Sequence, residues 1–207
     1  MKDPLDFIVQ ITNNTTLLWK EAAHQSIPPQ LTAKKIDDAM LDWMCELTKT
    51  LRLWTDKGGH MTSGELILAR ANFGAVVESW LKFFYCVYVD DYQKNPQKGS
   101  KGVIEPNDLS FEALRQYSQG ILYSKNDDFD KWILSVLMKR NAIHSFNYRE
   151  IGSADDFYDD IEKLYDFIEL ITDRVPPVED YIQAYPAGYE HPYMKRERVA
   201  VQRHYDF

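Results

Sequence analysis

Apolar residues recur at three- and four-residue spacing in five or six segments, which predicts helices throughout. The first covers about 5–23, with Ile8, Ile11, Leu18, Trp19 and Ala22 on one side. Its Asn13-Asn14-Thr15-Thr16 stretch is poor helix material, and Pro28-Pro29 ends it. The second covers about 31–57, with Ile36, Met40, Trp43, Leu47, Leu51 and Trp54 in register, and Gly58-Gly59 stops it. The third is the strongest. Thr62 with Glu65 three residues on is a capping box, and the stripe from Leu66 through Phe73, Val77, Trp80 and Phe84 lasts to about Tyr92. A Gly-, Lys-, Asn- and Pro-containing loop over 93–107 precedes a short helix over about 110–122.

The fifth helix begins near Asn126, with Asp127, Asp128 and Asp130 at the positive end of its dipole. Phe129, Trp132, Ile133, Val136 and Leu137 form its stripe. Past a loop with Gly152, Ser153 and Asp156 read as an N-cap pair, and the last long helix aligns Phe157, Ile161, Leu164, Ile168 and Ile171. Val175-Pro176-Pro177 closes it. No strand run and no internal repeat stands out. The expected fold is an all-α antiparallel helical bundle over 1–176, followed by an extended Pro-containing strap or tail over 177–207.

The length, 207 residues, suffices for a buried core without disulfides. Cys45 and Cys86 fall within apolar helical patterns and read as core thiols in a reducing cytoplasm. The start of the chain lacks the apolar stretch of a secretory signal, and no apolar run approaches the ~18 residues of a membrane span. Charge narrows function further. With 24 Lys and Arg against 32 Asp and Glu, the net charge is −8, which argues against coating duplex DNA.

Chemistry concentrates on the fifth helix. Stepping by four from Val136 lands on Arg140 and then His144. On a continuous helix these stand ~6 Å apart along the axis and ~40° around it, on the face buried a turn earlier. Asn141 and Ser145 lie one step round. A buried Arg must be paired or must border water. In a structural reading, Arg140 pairs with an acid such as Glu78 or Asp166 and His144 is a satisfied core imidazole. In a functional one, His144 moves a proton and Arg140 stabilises charge.

The segment Arg140-Asn141-Ala142-Ile143-His144-Ser145-Phe146 resembles the signature of the HEPN superfamily (higher eukaryotes and prokaryotes nucleotide-binding). The stretch Gly74-Ala75-Val76-Val77-Glu78-Ser79-Trp80-Leu81-Lys82 resembles the long HEPN helix that packs beside it, so the resemblance covers roughly residues 60–175. Three residues separate Arg140 from His144, where the family pattern has four to six; Lys139 would restore a gap of four, but it is not Arg. The resemblance implies metal-independent RNA cleavage. His144 would take the ribose 2′-hydroxyl proton, Arg140 would steady the scissile phosphate and Asn141 would help position it. The products would be 2′,3′-cyclic phosphate and 5′-hydroxyl ends. It also implies a homodimer with a shared groove, RNA contacts from Lys139, Arg149 and the basic tail, and no cofactor. DNA lacks the 2′-hydroxyl and is excluded as substrate. The implied setting is toxin–antitoxin or phage defence. The shortened spacing favours a different class, a non-catalytic helical dimer that binds a partner protein or a nucleotide. A third reading is a partner to a nucleotidyltransferase antitoxin that modifies a residue near the motif, with Tyr148 a candidate by proximity.

Glu78 flanks the strongest stripe, as an acid paired with Arg140 or Lys82 or as the group that orients the Arg or His. Glu21 and His24 make one Glu-x-x-His step; a di-iron bundle needs two, so no metal is expected. Asp127-Asp128 and Asp159-Asp160 read as helix-start and solvated acids, and Phe83-Phe84-Tyr85 and Trp43-Met44 as core. No Gly-rich phosphate loop, nucleophile elbow or cysteine metal pair is found.

Overall fold

The Asp3 carboxylate accepts the Leu5 N–H at 2.9 Å and opens α1 (Pro4–His24) in the computed structural model, which describes residues 3–100, 102–144, 146 and 148–178. The Asn-Thr stretch stays helical, with its threonines turned inward and Asn13 and Asn14 half-buried. Thr12, Thr15 and Thr16 are buried, and the Thr12 hydroxyl donates to the Ile8 carbonyl at 2.7 Å.

The second predicted helix is two helices, α2 (Gln30–Asp38) and α3 (Leu41–Thr55). Ala39 is extended between them, and Asp37 and Asp38 crowd the negative end of α2, where continuation is disfavoured. The break resets the register. Leu41, Met44, Cys45, Thr48 and Leu51 turn inward, while Trp43, expected in the core, is 64% exposed.

Thr62 and Glu65 form the expected capping box of α4 (Ser63–Val87). The Thr62 N–H donates to Glu65 Oε2 at 2.8 Å, and the Glu65 N–H to the Thr62 hydroxyl at 3.3 Å. Phe83 to Val87 are all buried, so α4 is enclosed on every side at its end, as a central helix must be. Tyr88 breaks it from a short α5 (Val89–Tyr92). The following loop holds a two-residue antiparallel hairpin, β1 (Lys98–Gly99) and β2 (Gly102–Val103), which no sequence run announced. The helix α6 (Phe111–Ser118) is shorter than expected, because Gln119 is extended and Gly120 takes φ +81°.

The Asp127 carboxylate caps α7 (Asp128–Arg140), and a second capping box, Ser153 with Asp156, opens α8 (Ala154–Thr172). The result is an all-α helical bundle. In it α1 packs on α2, α3 and α8, and α4 packs on α2, α3, α7 and α8. Trp132 of α7 meets Phe73 of α4 and Phe167 of α8 edge-on or tilted, joining three helices. Val178 is buried beyond the end of α8. Residues 179–207, with Lys195, Arg196, Arg198 and Arg203, lie outside the described residues, as does Ser145. No helix among the described residues is long and apolar enough to cross a membrane.

Candidate functional site

The helix α7 stops at Arg140, one residue before the polar end of the motif. Asn141–Ile143 form a single 3-10 turn, and His144 follows at φ −87°, ψ 67°, with its N–H on the Asn141 carbonyl at 3.2 Å. Arg140 and His144 therefore do not share the face of one continuous helix, as their spacing suggested. The inward periodicity has run out: of the turn only Ala142 is buried, and His144 is exposed rather than a core imidazole.

Gly74 brings the last turn of α7 against α4. A Cβ at Gly74 would stand 2.6 Å from both Cβ and Cγ of Arg140, so the stem of Arg140 lies directly across the glycine. One turn on, Arg140 Nη2 donates to Glu78 Oε2 at 3.0 Å, and Lys82 Nζ pairs with Glu78 Oε1 at 3.0 Å. Both expected partners of Glu78 are present. Asp166, the other acid weighed for Arg140, lies on α8 beside Lys163. The Glu78 side chain is 14% exposed and that of Arg140 36% exposed, so a mostly buried carboxylate anchors an Arg that stays partly open to solvent.

Lys139 turns the other way. Its Nζ is 2.9 Å from Asp160 Oδ2. Asp160 also accepts Arg70 Nη1, and Trp132 Nε1 at 2.9 Å. It is thus buried, not solvated as its place beside Asp159 suggested. Spacing on α8 could not reveal this, because its main partner, Arg70, is 90 residues away in the chain. Arg70 is 1% exposed, with its guanidinium 5.3 Å from the Phe157 ring centroid. Burial pulls its pKa below the ordinary value, against the opposing pull of Asp160.

The described residues that follow the 3-10 turn, His144, Phe146 and 148–150, are exposed. Phe146 is 100% exposed, and Tyr148 is 87% exposed with its hydroxyl donating to Glu150 Oε2 at 2.9 Å. Arg149 is exposed beside it, and Asn141 is half-buried. Among the sequence-predicted residues, Arg140 and Glu78 are in contact, Asn141 begins the turn leading to His144, and Lys139 is engaged elsewhere.

No family model matches the chain, and no similar curated protein or solved structure is found.

The arrangement can present one cation, one imidazole and two aromatic rings to a ligand at the end of α7. Among the described residues, no group of three or more His, Cys, Asp or Glu side chains could hold a metal. Cys45 and Cys86 are buried free thiols, and burial pushes Cys86 up to about 11, which keeps it protonated and unreactive. A surface recess of about 370 Å³ between α1 and α2, lined by Ser26, Gln30 and Lys34 among others, shares no residue with the motif. Sequence reasoning missed Arg70, Trp132 and Gly74. Only Gly74 carried a local signal, since Gly74, Glu78 and Lys82 step by four along α4.

Proposed function

We propose that this protein is a metal-independent RNA endoribonuclease of the HEPN type, acting in the cytoplasm as a homodimer. The observation that carries the reading is the anchored, partly exposed Arg140 side chain, one short turn from an exposed His144. In this mechanism the His144 imidazole takes the 2′-hydroxyl proton and the 2′-oxygen attacks phosphorus. Arg140 neutralises the growing charge on the phosphoryl oxygens, and the 5′-oxygen leaves with a proton from water. Glu78 fixes the stem and fork of Arg140, and Asn141 begins the turn that presents His144. The three-residue gap is compatible with this role, because it runs through a 3-10 turn, where α-helical register does not set the relative direction of the two groups. Arg149 would meet an adjacent phosphate, and the exposed rings of Phe146 and Tyr148 suit unstacked bases. Exposed Leu134, Met138 and Ile143 support a second copy meeting this end of α7. A toxin–antitoxin or phage-defence setting, with an antitoxin partner that modifies the accessible Tyr148, belongs to the same proposal.

A second reading, a non-catalytic dimer that binds a partner protein or nucleotide, is favoured by the Glu78 ion pair, which fills part of the guanidinium that a phosphate would need. Total RNA incubated with the protein in EDTA separates the two. Cleavage leaving 2′,3′-cyclic phosphate ends is expected, with a loss of ~100-fold or more in His144→Ala. The melting temperature of that variant should hardly move, because His144 is exposed. Equal cleavage by the variant rejects the catalytic role, and no cleavage by the parent protein leaves the binding module.

A further inference from the structure

Side chains outside the motif bond the residues that flank the segment carrying His144. Before it, in the last turn of α7, stands Lys139, whose ammonium sits 2.9 Å from Asp160. The segment's returning end passes over Arg70. Arg70 Nε donates to the Ile151 carbonyl at 2.9 Å and Nη2 to the Ser153 carbonyl at 3.4 Å, while Nη1 bonds Asp160. Between those carbonyls Gly152 has φ +71°, and a Cβ there would stand 3.2 Å from Arg70 Nη2 and 2.8 Å from Asp156 Oδ2. Glycine therefore lets the backbone turn and approach the guanidinium. Trp132 Nε1 completes the coordination of Asp160.

We propose that Asp160 and Arg70 are positioning residues for the loop bearing His144, and that Lys139 serves this cluster rather than an RNA phosphate. The cluster joins α4, α7 and α8 at one carboxylate and bonds both flanks of the loop, the last turn of α7 through Lys139 and residues 151 and 153 through Arg70. Two cations and one carboxylate at this depth stabilise a fold less well than apolar packing of equal volume would. What the cluster supplies is direction: every donor of Arg70 that is used is committed to the loop or to its counter-ion. Lys139, 17% exposed, has its charge spent inside the bundle. The kinetic part of this inference rests on the nuclease reading; the structural part rests on the geometry alone.

Asp160→Ala would strand a buried guanidinium and cost the fold, so the decisive variants are at Lys139. Lys139→Met and Lys139→Arg are compared with the parent full-length protein by hydrogen–deuterium exchange of the peptide spanning 141–153 and by RNA cleavage in EDTA. Lys139→Met is expected to speed exchange in that peptide by ~10-fold while exchange in α4 and α8 stays within twofold. It should lower kcat by ~10-fold or more with KM within twofold, and Lys139→Arg should restore both. A raised KM with unchanged kcat and unchanged exchange would make Lys139 a phosphate contact and overturn the proposal. Unchanged exchange in Lys139→Met overturns it in any case. If the parent protein does not cleave RNA, the nuclease reading fails alone, and the exchange measurement still decides the positioning role.

Discussion

One absent methyl group sets where Arg140 lies. With its Cβ and Cγ both 2.6 Å from the position a Gly74 side chain would take, Gly74→Ala must push the end of α7 away from α4. The colliding atoms are next to the backbone, so no flexible tip can swing aside. Destabilisation of ~1–3 kcal/mol in urea unfolding is expected, in the range of overpacked sites. RNA cleavage should fall further than stability does, because Arg140 loses its approach to Glu78. Combining the change with Arg140→Ala should relieve only part of the cost, since the Cγ contact goes and the Cβ contact stays. Full stability in Gly74→Ala would show that the two helices have slack at this crossing. Glu78 was readable in advance because it flanks the strongest apolar stripe, one step from Val77 on a single helix. Asp160 was not: a carboxylate among other acids on α8 looks solvated until a distant Arg70 is folded onto it.

At the scale of elements, starts with a capping box and ends marked by Pro-Pro or Gly-Gly were legible, and breaks marked by neither were not. The starts of α4 and α8 carry capping boxes whose two partners are three residues apart, a signal the sequence displays directly. The break at Ala39 carries no proline or glycine, and the apolar positions on either side continue a helical period across it, so one helix was expected where two exist. The end of α7 was missed for the same reason. Val136, Arg140 and His144 keep a four-residue step that the chain abandons at Asn141. The capping box of α4 also predicts acid behaviour. A hydrogen bond from Lys57 and the Thr62 N–H lower the Glu65 pKa from 4.5 to about 2. The folded state thus prefers the ionised acid. The stabilisation is complete above pH 4.5 and fades as pH falls toward about 2. Glu65→Gln should therefore flatten the fall of melting temperature across that window. Thr62→Ala should cost ~1 kcal/mol at neutral pH. A Glu65→Gln protein that loses stability as steeply as its parent below pH 4.5 would place the acid sensitivity elsewhere, the Ser153–Asp156 box being the next candidate.

For the whole molecule, charge and apolar exposure pull in opposite directions, and salt separates them. Two copies that each carry −8 repel, while Leu134, Met138 and Ile143 offer apolar surface at the end of α7. Raising salt from ~50 to ~200 mM shortens the screening length from ~14 to ~7 Å and should favour the dimer. The same change should weaken RNA binding only modestly, because few phosphates can be neutralised. If Arg140 and Arg149 are the two cations that meet phosphate, the slope of log affinity against log salt should be about −1.4. Leu134 and Met138 are one turn apart on α7, so replacing both with Glu sets four new negative charges facing one another across a two-fold axis. Light scattering should then report a monomer with a parent-like melting temperature, since both side chains are already exposed, and cleavage should be lost with the shared groove. A Leu134→Glu, Met138→Glu protein that keeps both its dimeric mass and its activity would move the interface off α7. Loss of the dimer with cleavage intact would instead make each copy a complete nuclease. A salt slope steeper than about −4 would demand cations beyond Arg140 and Arg149, and Lys195, Arg196, Arg198 and Arg203 are four that the sequence offers close together.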